Sequence, residues 1–92
     1  MLITTTEDYQ ALLTDLVKKQ MVMLGPTVAV SKARKVGALT VTDGGDVAAI
    51  AGDAQSALRE LAQEYMALSG QIAQTTLAAL LEKYPEIKQA QG

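Results

Sequence analysis

Ala38-Leu39-Thr40-Val41-Thr42-Asp43-Gly44-Gly45-Asp46-Val47-Ala48-Ala49-Ile50 is the stretch that decides the fold class. Apolar and hydroxyl-bearing side chains alternate over 38–42, the two-residue period of a half-buried strand, and Asp-Gly-Gly-Asp supplies turn chemistry before a second short apolar run. The pattern predicts a β-hairpin with strands at 38–42 and 47–50. Two strands alone are marginal in water, so the hairpin must lay Leu39, Val41, Val47 and Ile50 against helices or against a second copy of itself.

Upstream of the hairpin the period changes to that of a helix. Thr5 or Thr6 followed by Glu7 and Asp8 suits a helix start, because a hydroxyl accepts from orphan amides and early carboxylates complement the positive end of the dipole. Tyr9, Leu12, Leu13, Leu16, Val17, Gln20, Met21 and Leu24 then recur on one face with a single polar interruption at Gln20, predicting a helix over 7–24. Gly25-Pro26 ends that helix or kinks it sharply, since proline donates no amide but suits the first position of a new helix. Residues 27–36 read as a short second helix closed by Gly37, with a strand as the main competitor over Thr27 to Val30.

Downstream, Gly52 closes the second strand and Asp53 caps the next helix. Ala57, Leu58, Leu61, Ala62, Tyr65, Leu68, Ile72, Ala73, Leu77, Leu80, Leu81 and Tyr84 hold a helical face almost to Pro85. A straight helix over 54–84 would be about 46 Å long, whereas a compact domain of this length is about 32 Å across. Either the chain turns at Ser69-Gly70 or a second subunit covers the overhang. The expected architecture is therefore α+β and helix-dominated, in the order α-α-β-hairpin-α(-α), as a single domain over 1–92 with 1–5 and 85–92 frayed.

Composition removes several kinds of chemistry. The 92 residues contain no Cys and no His, which excludes disulfides, thiol catalysis, thiolate metal sites and the general base most used near neutral pH. No metal and no cofactor is expected. Asp43, Asp46 and Asp53 lack the ligand alternation and terminal Glu of a calcium loop and fit turn and cap roles. Ser31 with Lys32 or Lys35, and Glu60 with Glu64, have no sign of the burial that a catalytic dyad needs. The reading is of a non-enzyme. The N-terminal residues lack a basic and apolar leader and no run is long enough to span a bilayer, so a cytoplasmic location and no membrane span are expected.

Charge is unevenly placed. Residues 17–36 carry Lys18, Lys19, Lys32, Arg34 and Lys35 with no acid, inside a chain whose net charge is -2. Such a cluster could meet phosphates; an acidic chain with no aromatic nearby to stack a base favours instead a solvated or internally paired face. Between the basic pairs, Met21 to Val30 is free of charge, which fits a buried kink or a small apolar groove lined by Met21, Met23, Leu24 and Val28.

The long stripe motivates a small oligomerising or adaptor module, regulatory in role, acting through helix-helix and hairpin contacts. Its candidate interface is Leu58, Leu61, Tyr65, Leu68, Ile72, Leu77, Leu80 and Leu81, with a homodimer as the first partner and another protein as the second. A nucleic-acid-associated protein using 18–35 and a carrier of a small apolar ligand are the alternatives. The helix, hairpin, helix order around Gly37 to Leu61 is faintly similar to the roadblock family of dimeric regulatory proteins, whose later strands have no counterpart here; no family is assigned on it.

Overall fold

The hairpin sits between two helical pairs in the computed structural model, which describes residues 6–91. Their order is α1 (Thr6–Leu24), α2 (Pro26–Arg34), β1 (Leu39–Val41), β2 (Val47–Ile50), α3 (Ala54–Ser69), α4 (Gln71–Leu81) and α5 (Pro85–Gln91). The fold is thus α+β and helix-dominated, as the sequence predicts. Residues 1–5, expected to be frayed, lie outside the described part.

Leu39 pairs with Ile50, Thr40 with Ala49 and Val41 with Val47, so Ala48 is an extra residue in β2. This bulge changes which side chain faces inward: Val47 is buried and Ala48 is exposed. Leu39 and Val41 join Val47 in the core, with Ile50 half-buried against it. Helices cover this face, so the hairpin needs no second copy to be stable.

The helices also satisfy the strand edges. Thr14 Oγ1 accepts from Val47 N at 2.9 Å, and Gln10 Nε2 donates to the carbonyls of Val47 and Ala48 at 2.8 and 2.9 Å. On the other strand, Arg34 donates through Nε and Nη2 to the Val41 carbonyl at 3.2 and 3.0 Å. Polar side chains of α1 and α2 thereby blunt edges that would otherwise offer unpaired backbone groups.

Helix α1 is the central rod. Leu12, Leu13, Leu16 and Val17 are completely or almost completely buried, and α3 meets them with Leu58, Leu61 and Tyr65. Gln20 continues the same stripe and is fully buried, with neither Nε2 nor Oε1 hydrogen-bonded. An unpaired buried amide of this kind costs about 1–3 kcal/mol. Asp53 caps α3 as its position suggests, accepting from Ser56 N at 3.2 Å and Ser56 Oγ at 2.7 Å. The Ser56 bonds hold its carboxyl below the usual carboxylate range.

Two outcomes follow from tertiary packing. The stripe over 54–84 is not one helix: α3 stops at Ser69, Gly70 turns with φ 51° and ψ -116°, and α4 begins at Gln71. Folding back keeps the molecule within 39 × 26 × 17 Å, shorter than the straight helix would be. The C-terminal residues also depart from the expected fraying, because Pro85 opens α5 and Ile87 is fully buried.

Candidate functional site

The candidate interface stripe divides at the core boundary. Leu58, Leu61, Tyr65 and Leu80 are buried within the chain itself, and Leu77 and Leu81 are half-buried against the same core. Those six therefore hold α3 and α4 to α1 and present little surface to a partner. Leu68 and Ile72 alone of the eight are exposed, at 44% and 55%. The helical period could not separate the two groups, because an inward face and a partner face share the same spacing.

The basic residues are also divided. Lys18 Nζ pairs with Asp46 at 2.9 Å, and Arg34 Nη2 pairs with Asp43 at 2.8 Å. Both acids belong to the hairpin turn, so two of the five cations are neutralised by the loop they clasp. Lys19 points elsewhere, lining an open groove of about 420 Å³ with Thr75, Thr76, Ala79, Leu80 and Lys83. Lys32 is half-exposed on α2, and Lys35, which caps the end of that helix, is exposed. The segment 18–35 is thus no continuous cationic surface.

The proposed apolar groove is likewise split: Met21 packs on the core and against the hairpin turn, while Met23 and Val28 are exposed. Of the hydroxyl and carboxyl candidates, Ser31 and Glu60 are exposed and Glu64 is half-exposed. Among the described residues, no three acidic, histidine or cysteine side chains gather where a metal ion could sit.

What the structure gathers is apolar and uncharged. Among the described residues the exposed large hydrophobics are Val22, Met23, Val28, Met66, Leu68 and Ile72, and each lies within four residues of Gly25 or Gly70. Gly25 ends α1 and opens α2 with φ 91° and ψ 149°. Gly70 does the same between α3 and α4.

These corners occupy one end of the molecule. Lys19 shares a groove with Thr76, Ala79 and Lys83, whereas Tyr84 shares another with Ala11 and Asp15. Moving back along α4 therefore moves forward along α1, so the helices run antiparallel and the first turn of α4 reaches the last turn of α1. A buried hydrogen bond from Tyr65 Oη to the Ala29 carbonyl, 2.8 Å long, links α3 to α2 just behind the corners. Burial pushes the Tyr65 hydroxyl far above the ordinary tyrosine range and keeps it a neutral donor.

Neither stretch that builds this end carries a charge, and the Arg34–Asp43 ion pair borders it along a groove shared with Pro26, Thr27, Val30 and Ser31. Residues 20–31 and 65–81 contain no Asp, Glu, Lys or Arg, although a fifth of the whole chain is charged. The sequence does carry this signal, but its two halves lie far apart along the chain. Only the helix pairing shows that they belong to one surface.

At the opposite end, Glu7, Gln10, Asp15, Asp46 and Tyr84 border an open groove of about 610 Å³. Gln10 and Asp46 are already engaged by the hairpin and Lys18. Partial burial, together with the negative charges of Asp15 and Asp8, raises the Tyr84 hydroxyl above its ordinary range. Compared with family models, with curated proteins and with solved structures, the chain finds no match in any of the three.

Proposed function

We propose that the chain is a non-enzymatic oligomerising module, regulatory in role, whose working surface is the uncharged end built from its two glycine corners. The observation that carries this reading is that every exposed large hydrophobic in the described residues falls within the two uncharged stretches 20–31 and 65–81. Interface centres are depleted of charged residues, and apolar side chains clustered on a free surface mark contact sites more often than scattered ones.

The partner is a second copy of the chain. A surface without charge offers nothing to steer a charged ligand or nucleic acid, and its natural complement is another apolar, uncharged surface. The end itself meets that requirement, since a two-fold interface is self-complementary.

Sedimentation of the wild type beside the double variant Leu68→Glu/Ile72→Glu tests this. The wild type is expected to associate with rising concentration, and the variant to stay monomeric with unchanged helical circular dichroism. A wild type that is monomeric at every concentration overturns the proposal.

A further inference from the structure

The glycine at 70 behaves as a hinge within one helix more than as a boundary between two. Its N–H donates to the Met66 carbonyl at 2.9 Å, and its own carbonyl accepts from Gln74 N at 3.1 Å. Both bonds already have the four-residue span of an α-helix. Gly70 is the one residue that separates α3 from α4, and its φ of 51° and ψ of -116° interrupt the helix there. No side chain caps α4, and its first turn has no acid. Apart from Gly70 itself, which is an acceptable N-cap, the local sequence contains none of the usual signals of a helix start.

What bends the chain is packing at a distance. Ala73, Leu80 and Ile87 are buried, and Leu77, Leu81 and Tyr84 pack on the same core. Those contacts exist only if α4 and α5 fold back. A straight helix over 54–81 would be about 42 Å long, more than the 39 Å longest dimension of the molecule. Straightened, the α4–α5 arm cannot reach its own core, but its buried face is complementary to the seat vacated on another copy.

We infer that α3 and α4 can straighten at Gly70 and that the α4–α5 arm then docks on a second copy of the chain, giving a dimer with exchanged arms. Every buried contact of the arm is remade between chains, and each chain closes the break in its helix at Gly70. Leu68 and Ile72, one turn apart on a single face of the straightened helix, lie where the two copies meet. Such exchange is a low-cost route to a dimer because it reuses an existing interface. It goes beyond the surface contact proposed above and is separable from it, because surface contact leaves each arm on its own core.

Gly70→Ala tests the hinge. A Cβ there would meet nothing nearer than 4.0 Å, so space is no obstacle, while the φ of 51° is. Alanine disfavours that conformation and favours a helix interior, shifting each hinge towards the straight form by on the order of 100-fold. The variant is expected to elute as a dimer.

Lys19 and Lys83 border the same groove, so a short amine-reactive cross-linker reports who owns the arm. In a mixture of isotopically light and heavy chains, arm exchange yields Lys19–Lys83 links between light and heavy peptides. A variant that is monomeric, or dimeric with only same-chain links, overturns the inference. Should Gly70→Ala fail to fold, the wild type decides: light and heavy chains refolded together from urea at high concentration must yield mixed links, and their absence overturns it equally.

Discussion

The two corners, Gly25 and Gly70, are built alike and differ in the residue that follows. At each, the glycine N–H bonds four residues back and its carbonyl accepts from four residues ahead: Gly25 to Met21 at 3.0 Å and from Ala29 at 3.1 Å, Gly70 to Met66 and from Gln74 at nearly the same lengths. Each has a positive φ that an L side chain resists. After Gly25 comes Pro26, which has no N–H to give and whose ring would collide with the Val22 carbonyl in a continuous helix. After Gly70 comes Gln71, which would continue one freely. The first corner is written into the covalent structure, and the second is held by packing.

Removing the packing that holds the second corner has the largest effect. Leu80→Ala takes away a buried anchor of α4 and is expected to cost about 2–5 kcal/mol, the range for large-to-small changes in a core. Urea unfolding followed by circular dichroism gives the number. A loss below 1 kcal/mol would mean that α4 is not held this way, and the comparison would fail.

Gly25→Ala probes the first corner with the same chemical change as Gly70→Ala. Its φ of 91° and ψ of 149° lie where alanine is strained by about 1–3 kcal/mol, and Pro26 denies it the escape into a straight helix. The expected result is a less stable protein with the same oligomeric state as the wild type. If light scattering finds Gly25→Ala and Gly70→Ala equally dimeric, the proline does not distinguish the corners.

The smallest effect is expected at the bond behind both corners. Tyr65→Phe removes the hydroxyl that donates to Ala29 and should cost about 1 kcal/mol near neutral pH. The same variant isolates a pH effect. Because burial raises the folded-state pKa of Tyr65 above its unfolded value near 10, the unfolded chain loses its phenolic proton first. The contribution is therefore intact below pH 10 and is lost as pH rises beyond it. Unfolding stabilities of wild type and Tyr65→Phe should keep a constant gap up to about pH 10 and draw together above it; a constant gap beyond pH 10 would show that Tyr65 does not titrate as its burial implies.

The hairpin, the Asp53 cap and the stop at Gly25-Pro26 were legible in the sequence because each is decided within a few residues. Asp-Gly-Gly-Asp makes its own turn, Asp53 reaches only to Ser56, and proline refuses a helix interior whatever surrounds it. The candidate site was legible only in part. Residues 21–30 stand out as uncharged by inspection, yet their partner stretch at 65–81 reads as the apolar face of an amphipathic helix. The six interface candidates that went into the core or against it share their spacing with the two that stayed outside.

Sequence by itself determined the helices and hairpin up to the second corner, the first corner and the absence of thiol and imidazole side chains, all of which follow from local sterics, hydrogen bonding or composition. Tertiary structure alone decided the second corner, the anchoring of α5 through Ile87 and the assembly of one uncharged end from two distant stretches. The physical reason is one of magnitude. A glycine inside a helix costs only about 1 kcal/mol, too little to fix a break, whereas burying the far half of the stripe is worth several times that and requires the chain to turn.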